Sequence, residues 1–70
     1  MEVTIINNVQ HFRSKALLTQ EQLAEAVGVT RQTIISIEKG NYTPSVALAL
    51  RLATLFAVSV EDIFSIHYEK

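Results

Sequence analysis

Residues 18–45 have the sequence LTQEQLAEAVGVTRQTIISIEKGNYTPS, and its first half contains a helix with a clear start and a clear end. Thr19, followed three residues later by Gln22, is typical of a capping box, in which each side chain bonds a backbone amide that the first turn leaves free. Gly28 is expected to end this helix because glycine adopts a positive φ without steric cost. Leu23 and neighbouring apolar residues supply the inward face.

A second short helix follows almost at once. Thr30 is a candidate N-cap, Ile34 and Ile37 are spaced to point inward, and Gly40 can end the helix after about two turns. Two short helices joined by a few residues around a glycine indicate a helix-turn-helix over about residues 19–39.

The patterns on either side predict three more helices. Asn7 with Gln10 can open a first helix, and Ser59 with Asp62 can cap a short fifth one. Pro44 and Ser45 are expected to start a fourth helix. The residues predicted to form the buried side of this fourth helix are Val46, Ala49, Leu52, Ala53 and Phe56.

The two ends of the chain carry a strand-like pattern. Residues 2–6 are rich in β-branched side chains, and residues 64–68 place Phe64, Ile66 and Tyr68 on one side. These ends can pair as a two-stranded antiparallel ribbon, which needs helices or a second chain for support. The predicted fold is an all-α, five-helix domain with this ribbon, spanning residues 1–70.

Composition narrows the class of function. A chain of 70 residues with 49% hydrophobic residues fits one folded domain, and its net charge of −1 gives no broad basic surface. The absence of cysteine excludes a disulfide framework and thiolate metal sites. His11 and His67 have no partner at catalytic or metal-ligand spacing. We therefore expect no enzyme activity, metal or cofactor, and a cytoplasmic protein without a signal peptide or membrane span.

The helix after Thr30 has a surface suited to reading DNA. The second helix of a helix-turn-helix enters the major groove, where Arg can bond guanine, Gln can bond adenine, and Ser or Thr can bond several bases. This surface carries no Glu and Lys pairs of the kind common on solvated helices. The candidate base-reading residues are Thr30, Arg31, Gln32, Thr33 and Ser36.

The same stretch, continued by LALRLATLFAVSVEDIF, resembles the helix-turn-helix core of the phage Cro and lambda-repressor type of transcriptional regulators (XRE family). The likeness extends from about Ile5 to Phe64. It implies a lambda-repressor-like fold and a sequence-specific DNA-binding regulator, with repression as the expected action. The partner implied is a double-stranded, palindromic or pseudopalindromic operator.

The resemblance also assigns individual residues. Gln20 matches a phosphate-contacting glutamine of the family, and the base-reading positions match Thr30, Arg31, Gln32 and Ser36. Arg13 is expected to form an ion pair with Glu38 beneath the two helices, in preference to a contact with a DNA phosphate. The residues assigned to the DNA backbone are Thr19, Gln20, Lys39, Asn41 and Tyr42.

Apolar residues in the last two helices and the second strand exceed what one inward face needs, so either the small core absorbs them or they meet a second chain. We favour a homodimer, since helix-turn-helix proteins usually bind two half-sites with two-fold symmetry. The candidate interface residues are Leu48, Leu55, Ile63 and Ile66. The alternative function is a protein-interaction or antitoxin-like module that uses the same fold and the same apolar surplus.

Two residues depart from the family pattern. Leu17 stands where a glycine is common, so it must either accept a tight turn or let the first helix continue. Ile35 is an apolar residue on the expected DNA side, where it either touches a thymine methyl group or is simply an exposed side chain.

Overall fold

The computed structural model describes residues 2–68, in which two terminal strands enclose five helices. The strands are β1 (Val3–Asn7) and β2 (Phe64–Tyr68). The helices are α1 (Val9–Lys15), α2 (Gln20–Val27), α3 (Arg31–Glu38), α4 (Val46–Phe56) and α5 (Val60–Ile63). The predicted five-helix fold with a terminal ribbon is confirmed, although β1 lies one residue later than predicted. Within residues 2–68, no helix has both the length and the apolar character that a membrane crossing requires.

Local side-chain bonds explain where the central helices begin. The amide of Gln22 donates to Thr19 Oγ1 at 3.0 Å, and the amide of Thr19 donates to Gln22 Oε1 at 2.9 Å, which completes the predicted capping box of α2. The equivalent box at α5 joins Ser59 and Asp62. Single hydroxyl caps, from residues 30 and 45, begin α3 and α4.

The first helix begins differently from the prediction. Its N-cap is Asn8, which makes no side-chain cap bond. Asn7 instead accepts a hydrogen bond from the amide of Val9 through Oδ1 at 3.2 Å, while Gln10 takes no part. The predicted pairing of Asn7 with Gln10 is therefore wrong, since the Asn7 carboxamide reaches the first free amide of the helix without it.

The core lies between the helices and contains both predicted and unexpected residues. Leu48 and Ile63, which we expected at a dimer interface, are buried within the chain, so that assignment is wrong. Val46, expected in the core, is 77% exposed. The buried side of α4 therefore includes Leu48 and excludes Val46. The full core set is Val9, Leu23, Ala24, Val27, Ile34, Ile37, Leu48, Leu52, Ala53 and Ile63.

The ribbon joins the two ends of the described chain in antiparallel register. Ile5 pairs with Ile66, and Val3 pairs with Tyr68. Alternate residues of a strand point to the same face, so these four side chains share one apolar face of the ribbon. Only Phe64, at the start of β2, packs against the core, and the rest of this face is exposed.

Leu17 forms the tight turn between α1 and α2. Its φ is 60°, in the left-handed region, and its side chain is 89% exposed. α1 ends at Lys15, so the helix does not continue into the turn. Of the two outcomes expected from the missing glycine, the chain therefore adopts the strained turn.

Candidate DNA-recognition surface

The turn between α2 and α3 sets the angle of the candidate recognition helix. Gly28 has a φ of 77°, a left-handed conformation that glycine adopts most readily. The amide of Val29 donates to the carbonyl of Ala24 at 2.9 Å, which adds a bond that closes the C-terminal turn of α2. Thr30 then caps α3 directly, so the two helices are separated by only three residues.

The side of α3 that faces away from the core carries polar and cationic side chains. Ile34 and Ile37 are fully buried, which fixes the rotation of the helix. Arg31 and Gln32 are exposed, and Ser36 is half-buried on the same side. Within residues 2–68, no hydrogen bond engages the side chains of these three residues. They are therefore free to bond an external partner.

The two threonines of the predicted base-reading set differ from the other three residues, because their hydroxyl groups already bond within the protein. Thr30 Oγ1 accepts a hydrogen bond from the amide of Thr33 at 3.3 Å, and the two hydroxyl oxygens lie 3.0 Å apart. Thr33 is also half-buried. These hydroxyls hold the first turn of α3 together, so they have less freedom to reorient toward a base than Arg31 or Gln32.

An ion pair fixes the far end of α3 to the rest of the domain. Arg13 Nε donates to Glu38 Oε2 at 2.7 Å, and a second guanidinium nitrogen donates to Glu38 Oε1 at 3.2 Å. Arg13 also donates to the carbonyl of Leu18 at 2.9 Å, in the α1–α2 turn. The hydrogen bond to Glu38 raises the pKa of the Arg13 guanidinium; partial burial opposes this shift, and charge attraction adds to it.

Gln20 also reaches this ion pair. Its Nε2 donates to Glu38 Oε1 at 3.1 Å, an interaction that the sequence did not predict. A carboxamide nitrogen carries two N–H donors, so one remains for another partner. Gln20 therefore links the start of α2, where the family resemblance places a phosphate contact, to the end of α3.

The remaining residues assigned to the DNA backbone lie in exposed positions around α3. Thr19 is exposed beside the start of α2, and Lys39 is exposed at the end of α3. Asn41 and Tyr42 follow the left-handed Gly40 and are also exposed. With Glu38 neutralised by Arg13, the cations that this surface presents are Arg31 and Lys39.

Two supporting residues were missed by the sequence reasoning. Asn7 Nδ2 donates to the carbonyl of Ile37 at 2.8 Å, which joins the ribbon to the last turn of α3. Arg51 donates to the carbonyl of Val27 at 3.4 Å, at the end of α2. Both bonds join residues far apart in the chain, and no local pattern marks such partners.

Comparison with known proteins agrees with this geometry. The sequence model of a helix-turn-helix family matches residues 10–63, which is most of the chain. The chain belongs to this helix-turn-helix family. It is a DNA-binding transcriptional regulator of the XRE type, as the resemblance implied.

Relatives of this helix-turn-helix regulator occur in archaea and bacteria. An HTH-type transcriptional regulator of Methanocaldococcus jannaschii is 53% identical over 58 residues, which is 83% of this chain and 88% of the relative. The HTH-type transcriptional regulator YgzD of Bacillus subtilis is 46% identical over 63 residues, covering 90% of this chain and 96% of that protein. The similarity therefore spans nearly the whole length of both relatives.

A solved structure shows the same fold. The restriction-modification controller protein C.AhdI from Aeromonas hydrophila superposes on this regulator with a TM-score of 0.71 and 28% sequence identity. The match covers 77% of this chain and 82% of the controller protein.

Proposed function

We propose that this regulator binds its operator by inserting α3 into the major groove and reading bases with Arg31, Gln32 and Ser36. The observation that carries the proposal is that the polar groups of these three side chains are not engaged within residues 2–68, with Arg31 and Gln32 exposed and Ser36 half-buried beside them. Arg can donate two hydrogen bonds to guanine O6 and N7, and Gln can pair with adenine N6 and N7. Thr30 and Thr33 are the secondary members of this set, because their hydroxyls already bond within the first turn.

The DNA backbone is contacted at both ends of the helix pair. Gln20 and Thr19 lie at the start of α2, while Lys39, Asn41 and Tyr42 lie beyond α3. Phosphate contacts position a protein on the duplex, whereas base contacts give specificity. With Arg31 and Lys39 as the cations of this surface, one chain neutralises few phosphates and binds weakly by itself.

A homodimer supplies the second half of the site. The proposed contact surface is the exposed apolar face of the ribbon together with the start of α4. Ile66 is 52% exposed, and its partner Ile5 lines a groove with Val46 and Phe64. Leu55, also in the predicted interface, lies in a separate groove between α2 and α4. We therefore retain Ile66 and set Leu55 aside.

The open edges of the ribbon, which border this apolar face, are also unprotected against association with a second chain. Each strand has one open edge in the two-stranded sheet, and neither VTIIN nor FSIHY contains a charged residue or proline. Such residues normally protect an open edge from pairing with another chain. Two copies related by a two-fold axis would place two α3 helices in successive major grooves, about 34 Å apart. The operator is then palindromic or nearly so.

The mechanism that follows is occupancy, without chemistry. A bound dimer covers its operator in the cytoplasm and blocks access to the DNA, which makes repression the proposed outcome. The apolar face that we assign to a second copy is also what a protein-interaction module would use, so this alternative is decided by the same experiment.

The test begins with selection of bound fragments from random double-stranded DNA. Binding to the selected sequence and to a scrambled duplex is then measured by fluorescence anisotropy at several salt concentrations. We expect an inverted repeat and a log–log salt slope of about −2, because Lys39 is the phosphate-contacting cation of each chain and a dimer brings two. Equal binding to both duplexes rejects sequence-specific recognition. The absence of both specific binding and a salt slope favours the protein-interaction module.

A further inference from the structure

Ile35 is a large apolar side chain on α3 that takes no part in the core. It is half-buried, yet it is absent from the residues that form the core or pack against it. The large, partly buried hydrophobic side chains that do pack there are Phe12, Leu18, Val29, Phe56, Val58, Val60 and Phe64. Among the residues that the structure describes, Ile35 therefore has no evident role in holding the fold together.

The neighbours of Ile35 place it within the recognition surface. Residues three or four apart lie next to each other on a helix, so the neighbours of Ile35 are Arg31, Gln32, Glu38 and Lys39. The charge of Glu38 is already paired with Arg13. Around the helix axis, Ile35 is rotated about 100° from Ile34 and about 160° from Ile37, both of which are buried. A cation one turn before it and another one turn after it favour a polyanion over an apolar protein as the partner of this surface.

DNA offers one apolar group in the major groove. Thymine carries a methyl group at C5, whereas the other bases present only hydrogen-bond donors, acceptors and C–H groups there. We infer that Ile35 packs against a thymine methyl group in each half-site and so contributes to operator choice. This inference rests on the proposed function, because it requires α3 to lie in the major groove.

The test removes the methyl group without changing base pairing. In the operator selected by the wild-type protein, each thymine of a half-site is replaced in turn by deoxyuridine, and binding is measured by anisotropy. We expect one position per half-site at which the dissociation constant rises about fourfold per methyl group, the effect of removing one buried carbon group. Ile35→Ala should bind the thymine and uridine operators equally, and Ile35→Val should keep part of the difference.

A matched control uses an apolar residue outside α3. Leu17→Ala removes a side chain that is 89% exposed and should leave the uridine effect unchanged. Circular dichroism melts of each variant establish that it is folded. The inference is overturned if no thymine position responds to uridine, or if the response persists in Ile35→Ala. With either result, the wild-type protein still prefers its selected operator to scrambled DNA. If the wild-type protein shows no such preference, the proposed function itself is rejected.

Discussion

Arg13 and Glu38 form a two-bond ion pair that joins α1 to the end of α3, with the shorter bond, between Nε and Oε2, at 2.7 Å. The Glu38 side chain is only 5% exposed. A carboxylate with so little access to water depends on its partners, which here are Arg13 and the side-chain carboxamide of Gln20. The pair therefore fixes the position of α3 from beneath while leaving its outer surface free.

Replacing Arg13 alone should be strongly destabilising. Arg13→Met leaves the Glu38 carboxylate unpaired, and we expect a loss of about 3 kcal/mol in the free energy of unfolding. For a domain of this size, that corresponds to a fall of more than about 12 °C in Tm. Urea titration followed by circular dichroism measures the change.

The matched control removes both charges. Arg13→Met combined with Glu38→Met should recover most of the lost stability, because a buried ion pair can often be replaced by apolar side chains at little cost. A double variant no more stable than Arg13→Met would show that the loss comes from packing or from the bond to Leu18, and not from an unpaired carboxylate.

Leu17→Gly should stabilise the protein. A left-handed conformation costs a residue with a side chain roughly 1–2 kcal/mol, and the added flexibility of glycine in the unfolded chain offsets part of this. We expect a net gain of about 0.5–1 kcal/mol, measured by urea titration. Ala26→Gly, at an exposed helical position, should instead lose about 1 kcal/mol. A loss of stability at both positions would contradict the strain at Leu17.

Gln32→Ala should relax sequence choice. Losing a bidentate contact to adenine is expected to cost about 1–3 kcal/mol on the selected operator while binding to scrambled DNA changes little. The measurement is anisotropy on a set of operators with single base-pair changes. If Gln32 reads a base, discrimination should disappear at one base pair per half-site and remain at all others.

Lys39→Ala should weaken binding to every duplex to a similar extent. A phosphate contact carries no sequence information, and each one lost should reduce the magnitude of the salt slope by about 0.9. Titrations of selected and scrambled DNA at four salt concentrations give both quantities. A loss confined to the selected operator would instead make Lys39 a base-reading residue.

Ile66→Asp should separate the proposed dimer. A charge in the middle of the apolar ribbon face opposes burial, so sedimentation equilibrium should show a shift toward monomer. Leu55→Asp places the same charge at a similarly exposed residue in a different groove and should leave the assembly unchanged. Helical circular dichroism verifies that both variants are folded. Dissociation by Leu55→Asp, with none by Ile66→Asp, would move the interface to that groove.

Local chemistry allowed much of the fold to be predicted. The caps at Thr19, Thr30 and Ser59 and the left-handed Gly28 each depend on a few adjacent residues, so their effect can be read from short spacings. The free side of α3 was predictable for the same reason, because Ile34 and Ile37 define the opposite side.

The errors lie where the sequence pattern is ambiguous. The α4 sequence VALALRLATLF is apolar on nearly every side, so helical periodicity alone does not decide which side is buried. Packing against the other helices decides it, burying Leu48 and exposing Val46. The wrong prediction for Ile63 has a similar cause, because the four residues of α5 are too short a pattern to show which side faces the core. The bonds from Asn7 and Gln20 cross 30 and 18 positions, beyond the range of any local rule.

The bond from Asn7 to the carbonyl of Ile37 gives the ribbon a mechanical role. If two protomers associate through this ribbon, the Asn7 carboxamide of each protomer connects the ribbon, where the protomers touch, directly to the last turn of its recognition helix. The gap between half-sites that the pair can bridge is then determined by the ribbon as well as by the helices. Changes confined to the chain ends should therefore alter which operator spacings are tolerated, even though those residues never approach a base.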